Sequence, residues 1–313
     1  MTIGVLRGGP SSHYELSLAS GAHVIRGLRD KYSTRDIFID REGVWHYEGM
    51  PTSTNRLLSH IDLFWNALHG EYGEDGTLQR DLDSLGASYT GTGATSARFV
   101  WRKDLTKLFL KETDILVPDS ISVRLGDDLA AVSREAFACI GGQYVVKPVA
   151  EANSRGVFFV PSYGELEQVL RVALEYFGHI LVEEAIHGKE LKCLVARGFR
   201  ARDYYAFLPI EIDKGVSIGI YNPDDENTKV FVPARLSQSE KDLVMDTAIT
   251  AHKALDLGDY SIIDMVLAPR GAVVLEVDAL PDLREESVLG KSLKAVGASP
   301  SEFFRHIVTL ANV

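Results

Sequence analysis

Apolar positions along the chain fall into two rhythms. Short runs of Val, Ile, Leu and aromatic residues bounded by Gly, Pro or Asp predict strands, and longer stretches with apolar residues three and four apart predict helices. TIGVLR predicts a strand ending at Gly8-Gly9-Pro10, where Ser11 and Ser12 offer N-caps for a helix from about Tyr14 to Asp30. DIFIDREGVWHYEG alternates like two strands around a turn. IDLFWNALHG predicts another strand, and TLQRDLDSLG a helix. This order predicts a parallel α/β domain over residues 1–100, with ligands near the carboxyl ends of its strands.

A second unit, residues 101–185, opens on a helix (KDLTKLFLK) and holds the strand QYVVKPV, the helix SYGELEQVLRVALEYF and the strand HILVEEAI. A third, residues 186–313, begins with strand-like runs (ELKCLVARG, DYYAFLPIEI, TKVFVPA) and continues with the helix SQSEKDLVMDTAITAHKALD. Two closing strands, YSIIDMVLA and AVVLEVDAL, joined by a Pro269-Arg270-Gly271 turn, predict an antiparallel hairpin. An amphipathic helix, SEFFRHIVTLANV, comes last. The fold class is α/β (α+β), without internal repeats.

Charge and composition narrow the function. A formal charge of −11 disfavours nucleic acid and anionic membranes as partners. No apolar run approaches the ~18–20 residues needed to span a bilayer. The N-terminus opens directly into a strand-like run without a signal-peptide pattern, so a soluble cytoplasmic protein is expected. Cys139 and Cys193 lie in apolar stretches without metal-ligand spacing and are expected as small core residues in a reducing compartment.

Four segments carry candidate chemistry. In VVLEVDALP, Glu276 and Asp278 share one face of a strand, and the preceding strand brings Asp264 opposite them. Three carboxylates there suit an oxygen-ligated cation such as Mg²⁺; a solvated hairpin edge explains the spacing equally well. In YVVKPVAEANSRGVFFV, a strand delivers Lys147 ahead of a loop of small residues, a pattern suited to phosphate oxygens or to an ordinary hairpin. ILVEEAIHGKEL places Glu183, Glu184 and Glu190 on a linker that suits adenine and ribose recognition, or is simply charged. In ALHGEYGEDGTLQ, a Gly-rich turn precedes a helix N-terminus, with His69 as a substrate-binding or structural residue.

In this order, GGPSSHYELSLASG, ALHGEYGEDGTLQ, KDLTK, VVKPVAEANSRG, LVEEAIHGKEL and IIDMVLAPRGAVVLEVDALP resemble the D-alanine–D-alanine ligase family of the ATP-grasp superfamily over nearly the whole chain. The resemblance implies three α/β domains, with ATP between the second and third. It implies an ATP-dependent ligase forming D-alanyl-D-alanine, a peptidoglycan precursor, through an acyl phosphate. Lys103 and Lys147 would contact phosphates, Glu183 with the backbone of the following residues, Glu184 among them, would read adenine, and Glu190 the ribose. Asp264, Glu276 and Asp278 would hold two Mg²⁺ ions, with Mn²⁺ as an alternative. Glu15 would take the ammonium of the first amino acid near His69, and Ser287 would hold the carboxylate of the second. Asn153 and Ser154 would form a lid that excludes water. A homodimer is implied by the family alone.

The chain departs from the family pattern at several places. Ile262 stands where the family has Arg, two residues before the first metal carboxylate, and Asp278 stands where it has Asn. The family's LPGMT becomes Leu280-Pro281-Asp282-Leu283-Arg284, which puts Asp282 at the oxyanion turn and offers Arg284 as a replacement guanidinium. Arg155 enters the lid, and Tyr221 does not align with the family's lid-facing Tyr. These changes fall on the acceptor side, so ligases joining other amino acids, and a nucleotide-binding homologue without ligation, are the competing expectations.

Overall fold

The computed structural model describes residues 1–152, 154–214 and 228–311; Asn153 and Tyr221 lie outside them. The chain first forms a five-stranded sheet from β1 (Thr2–Gly8), β2 (Ser33–Ile39), β3 (Trp45–Tyr47), β4 (Met50–Pro51) and β5 (Leu63–Asn66), in the order β4-β3-β2-β1-β5. The expected parallel core is present as β2-β1-β5, extended by antiparallel β3 and β4. Helices α1 (Tyr14–Leu28), α2 (Thr54–Leu57) and α3 (Thr77–Ser84) connect it.

Two further helices, α4 (Ala94–Trp101) and α5 (Lys103–Lys111), precede a four-stranded antiparallel sheet. Its strands are β6 (Ser120–Arg124), β7 (Tyr144–Pro148), β8 (Phe158–Val160) and β9 (His179–Glu184), in the order β6-β9-β7-β8, backed by α6 (Leu129–Cys139) and α7 (Tyr163–Phe177). A third, antiparallel sheet holds β10 (Lys189–Arg197), β11 (Tyr204–Ala206), β12 (Ile210–Asp213), β13 (Lys229–Phe231), β14 (Tyr260–Ala268) and β15 (Gly271–Asp278). Its order is β13-β12-β10-β14-β15, with β11 also paired to β10. Helices α8 (Gln238–Ala254), α9 (Val288–Ala295) and α10 (Pro300–Leu310) complete the chain.

Burial ties the sheets together. Phe303, Phe304, Ile307 and Val308 form the buried stripe of α10 and pack with Ile3 and Trp65 of the first sheet and Leu194 of the third. Fully burying each of these aromatic rings is worth roughly 1.5–3 kcal/mol, which anchors the end of the chain across two sheets. Ser299 caps α10 by accepting from Glu302 N at 3.0 Å, with Pro300 in the first turn, where a missing N–H costs nothing. Val100, Leu110 and Ile115 pack with the third sheet rather than the second.

Three local expectations are corrected. The N-cap of α1 is His13 rather than Ser11 or Ser12; the Ser11 hydroxyl instead donates to the His69 carbonyl, inside the molecule. DYYAFLPIEI divides into β11 and β12, because Pro209 has no N–H to offer a ladder. Cys139 is exposed, whereas Cys193 is buried and its thiol is pushed up to about 12 by that burial; both are free.

Candidate active site

The acidic hairpin is built by a short turn and a bulge. Ala268 pairs with Gly271, so the turn holds two residues, Pro269 and Arg270, instead of three. The ladder continues to Met265 opposite Val274, then slips by one: Asp264 lies opposite Glu276, and Ile262 opposite Asp278. Leu275 is the residue left over. Without this bulge Asp264 would face Leu275, because a one-residue slip exchanges the two faces of a strand. The expected pairing is therefore reached by a different route. The bulged Leu275 carbonyl is free of the ladder and accepts from Lys107 Nζ at 3.2 Å and Lys147 Nζ at 3.3 Å.

Buried lysines surround this hairpin. Lys103 and Lys107 lie one turn apart on the buried face of α5. Lys103 Nζ is 3.0 Å from Glu276 Oε1 and also donates to the Glu151 carbonyl at the base of the lid. Glu183, only 2% exposed, holds Lys107 Nζ at 3.2 Å and Lys147 Nζ at 3.0 Å. Lys192, on β10, donates to Asp264 Oδ2. Burial drives Lys107 down to about 8 despite the Glu183 charge beside it. Burial likewise disfavours a charged Lys147, but Glu183 and Glu276 outweigh it and raise the ammonium above its ordinary value. Glu276 shows the converse: burial opposes its charge, and Lys103 and Lys147 overcome it, leaving the carboxyl below the ordinary range.

Asp278 joins this cluster to the first sheet. Its carboxyl is pushed up to about 7, first by burial and then by the nearby Glu74 carboxylate. Glu74 comes from the Gly-rich loop before α3, where it accepts from Gly70 N at 2.8 Å and lies 3.6 Å from His69 Nδ1. His69 is buried, with Nε2 2.9 Å from Ser20 Oγ. His13 fills the space beside this loop: a Cβ on Gly70, whose φ is +80°, would lie 2.7 Å from His13 Nδ1. Burial holds His13 below its ordinary value, with Glu74 opposing that shift.

A cleft of about 620 Å³ opens between the second and third sheets. That is ample for a drug-sized ligand or nucleotide. Lys147, Glu276 and Asp264 lie at one end, Val145, Phe159 and Met265 supply apolar walls, and the Glu184–Glu190 linker runs along it. Glu184 is held by the Arg270 guanidinium at 2.7 and 2.9 Å, and Glu190 by Lys214 at 2.7 Å. Ser154 also lines the cleft. The loop between β7 and β8 turns at Gly156, with φ +72°, where a Cβ would lie 2.3 Å from the Phe177 ring, so only glycine fits.

A family model described as "D-ala D-ala ligase C-terminus" matches residues 109–309. A D-alanine–D-alanine ligase of Desulforudis audaxviator is 31% identical over 99% of this chain and 98% of its own. This protein belongs to the D-alanine–D-alanine ligase family. The D-Ala:D-Ser ligase VanG of Enterococcus faecalis has the same fold at a TM-score of 0.88, with 27% identity and 99% of each chain covered. The D-alanine–D-alanine ligase of Bacillus anthracis, solved in complex with ATP, superposes at 0.82 with 28% identity, over 99% of this chain and 97% of that one. The three sheets are thus those of an ATP-grasp ligase.

Against this family, the structure brings Lys103, Lys147, Glu183, Asp264, Glu276 and Asp278 together, with Glu184 and Glu190 along the same cleft. The remaining residues have other surroundings. Glu15 is 81% exposed and pairs with Arg41 at 3.2 Å, while His13 occupies the inner side of the loop. Arg284 is bound by its neighbour Asp282, at 2.8 and 3.0 Å, and Ile262 lies in the core. The Ser287 hydroxyl caps α9 and donates to the Arg284 carbonyl at 2.7 Å.

Four further residues enter the site: Lys107, Lys192, Glu74 and His13. Lys107 was legible at four residues from Lys103, and Lys192 at two from Glu190 on one strand face. Glu74 stands in the GEDG stretch, and nothing in the sequence singled out His13.

The donors suit a hard cation. Asp264 Oδ1 is buried without a hydrogen-bond partner, and Asp278 must shed a proton or gain a positive neighbour to ionise near neutral pH. Among the described residues, however, no three His, Cys, Asp or Glu side chains are arranged to hold a metal, because ammonium groups already engage Asp264 and Glu276.

Proposed function

We propose that the protein is an ATP-dependent ligase that joins two D-alanine molecules for peptidoglycan synthesis, acting in the cytoplasm and, on the family resemblance, as a homodimer. The observation that carries this reading is the convergence of buried Lys103 and Lys147 on the bulged acidic hairpin at one end of the nucleotide-sized cleft. In the cleft these cations contact Glu183, Glu276 and the Leu275 carbonyl. Phosphate oxygens of ATP would supply a stronger acceptor set for the same ammonium groups.

In the proposed reaction, the carboxylate of one amino acid accepts the γ-phosphoryl group of ATP and becomes an acyl phosphate. The free amine of the second then displaces phosphate and forms the amide. Asp264, Glu276 and Asp278 would hold Mg²⁺, which neutralises phosphate charge as the anionic carboxylate approaches. Lys103 and Lys147 orient the phosphates, and Glu183 positions Lys147 and Lys107 from behind. Glu184 and Glu190 lie along the linker, where the nucleoside would sit. The Ser154–Gly156 turn covers the phosphates and keeps water from the acyl phosphate. His69, Glu74 and His13 line the side from which the first amino acid would enter.

A second reading, a ligase with another acceptor, is favoured by the Asp282–Arg284 pair that fills the acceptor turn. The test is to incubate the protein with Mg-ATP and D-alanine, alone and with D-serine, D-lactate or L-amino acids, and identify products by mass. D-alanyl-D-alanine as the main product supports the first reading. A mixed product formed in preference supports the second, and ADP without any amide contradicts both.

A further inference from the structure

We infer that Lys192 is a resident cation of the acidic cluster, filling one of its two cation positions, so that nucleotide is held with one divalent ion per chain. The inference rests on the ligase reading and concerns the same site.

Lys192 sits in the middle of β10, paired with Ile210 of β12 on one side and with Asp264 of β14 on the other. Its Cα cannot withdraw without breaking two ladders. The register sets it directly opposite Asp264, so both side chains project from the same face of the sheet. There its ammonium donates to Asp264 Oδ2, with 21% of the lysine side chain exposed.

The position of the second ammonium is decisive. Asp264 and Glu276 are cross-strand partners, and Glu276 carries Lys103 at 3.0 Å. Two divalent ions at these carboxylates would add four positive charges to the ammonium that each already carries, and like charges at such range repel strongly. The oxygens left over are Asp264 Oδ1, which has no hydrogen-bond partner, the second oxygen of Glu276, and Asp278 further along β15. They suffice for one ion that keeps several ligands from water and phosphate, as Mg²⁺ prefers. A tethered ammonium supplies half the charge of the ion it replaces and needs no recruitment from solution.

The test counts Mn²⁺ ions, by electron paramagnetic resonance, on the full chain saturated with a β,γ-imido analogue of ATP. The expected result is one nucleotide-dependent Mn²⁺ in the wild type, two in Lys192→Met, and one in Lys192→Arg, which keeps the cation. Two ions in the wild type overturn the proposal whatever the variants do. So does one ion in a folded Lys192→Met chain that still binds the analogue. Absence of analogue-dependent Mn²⁺ binding in the wild type would instead overturn the nucleotide reading beneath it.

Discussion

Lys103 Nζ lies 3.0 Å from Glu276 Oε1, joining the first turn of α5 to the strand that carries the acidic pair. The same lysine holds the carbonyl of Glu151, so one ammonium contacts both the base of the lid and the cluster beneath it. Lys103→Met keeps the aliphatic stem and removes the charge. Ligation is expected to fall about 10²–10³-fold, as for loss of one charge-stabilising donor. Steady-state release of ADP with D-alanine present measures it, and an effect below tenfold would contradict the role.

Glu183 is the common carboxylate of two buried ammonium groups. Glu183→Gln leaves Lys107 and Lys147 facing each other without the carboxylate that pairs them both. Removing one partner from a buried ion pair costs about 3–5 kcal/mol. Urea unfolding should show that loss, and adding Lys107→Met should recover part of it, since one of the stranded charges is then gone.

Ile262 and Asp278 are directly opposed across the hairpin, although the family carries Arg and Asn at these places. The two departures therefore act as a pair. Ile262→Arg alone is expected to lower ligation about tenfold, because the guanidinium would be captured by Asp278 at the cost of its other contacts. The double variant Ile262→Arg with Asp278→Asn should recover activity above the single one. Kinetics of all four chains in a double-mutant cycle reveal the coupling; additive effects would exclude it.

Two buried groups near the start of β14 give opposite pH dependence. Burial pushes His252 down to about 4, so between pH 4 and about 6.5 the unfolded chain binds more protons than the folded one. Its contribution is lost as pH falls through that window, by roughly 3 kcal/mol in full. Burial pushes Asp259 up to about 6 from 3.8, so there the folded chain binds more protons. Its contribution is lost as pH rises from 3.8 to 6, again by roughly 3 kcal/mol. Relative to wild type, His252→Gln should gain stability toward pH 4.5, and Asp259→Asn toward pH 6.5, as read from urea midpoints.

The sequence made the nucleotide half of this site legible, and the reason is geometric. Lys147, Glu276 and Asp278 lie on strands, where alternation fixes which side chains share a face, whereas Lys103 entered through the family resemblance alone. The acceptor half depends on loops. Glu15 was placed at the first amino acid's ammonium by the family resemblance alone. Helix α1 begins at Tyr14 without a serine cap, which turns Glu15 to solvent and His13 inward. The pairing of Asp264 with Glu276 was expected from a three-residue turn, whereas a two-residue turn and the Leu275 bulge deliver it. Bulges leave no mark in alternation short enough to be read from one chain. Lys192 was passed over because a lysine on a strand reads as solvated until its cross-strand partner is known to be an acid.

The most direct measurement is phosphate release from Mg-ATP by the wild-type protein across a panel of D- and L-amino acids. Strong stimulation by D-alanine, abolished when Asp264, Glu276 and Asp278 are replaced together, is the predicted result. Release that no amino acid stimulates, or that survives the triple replacement, would contradict the account.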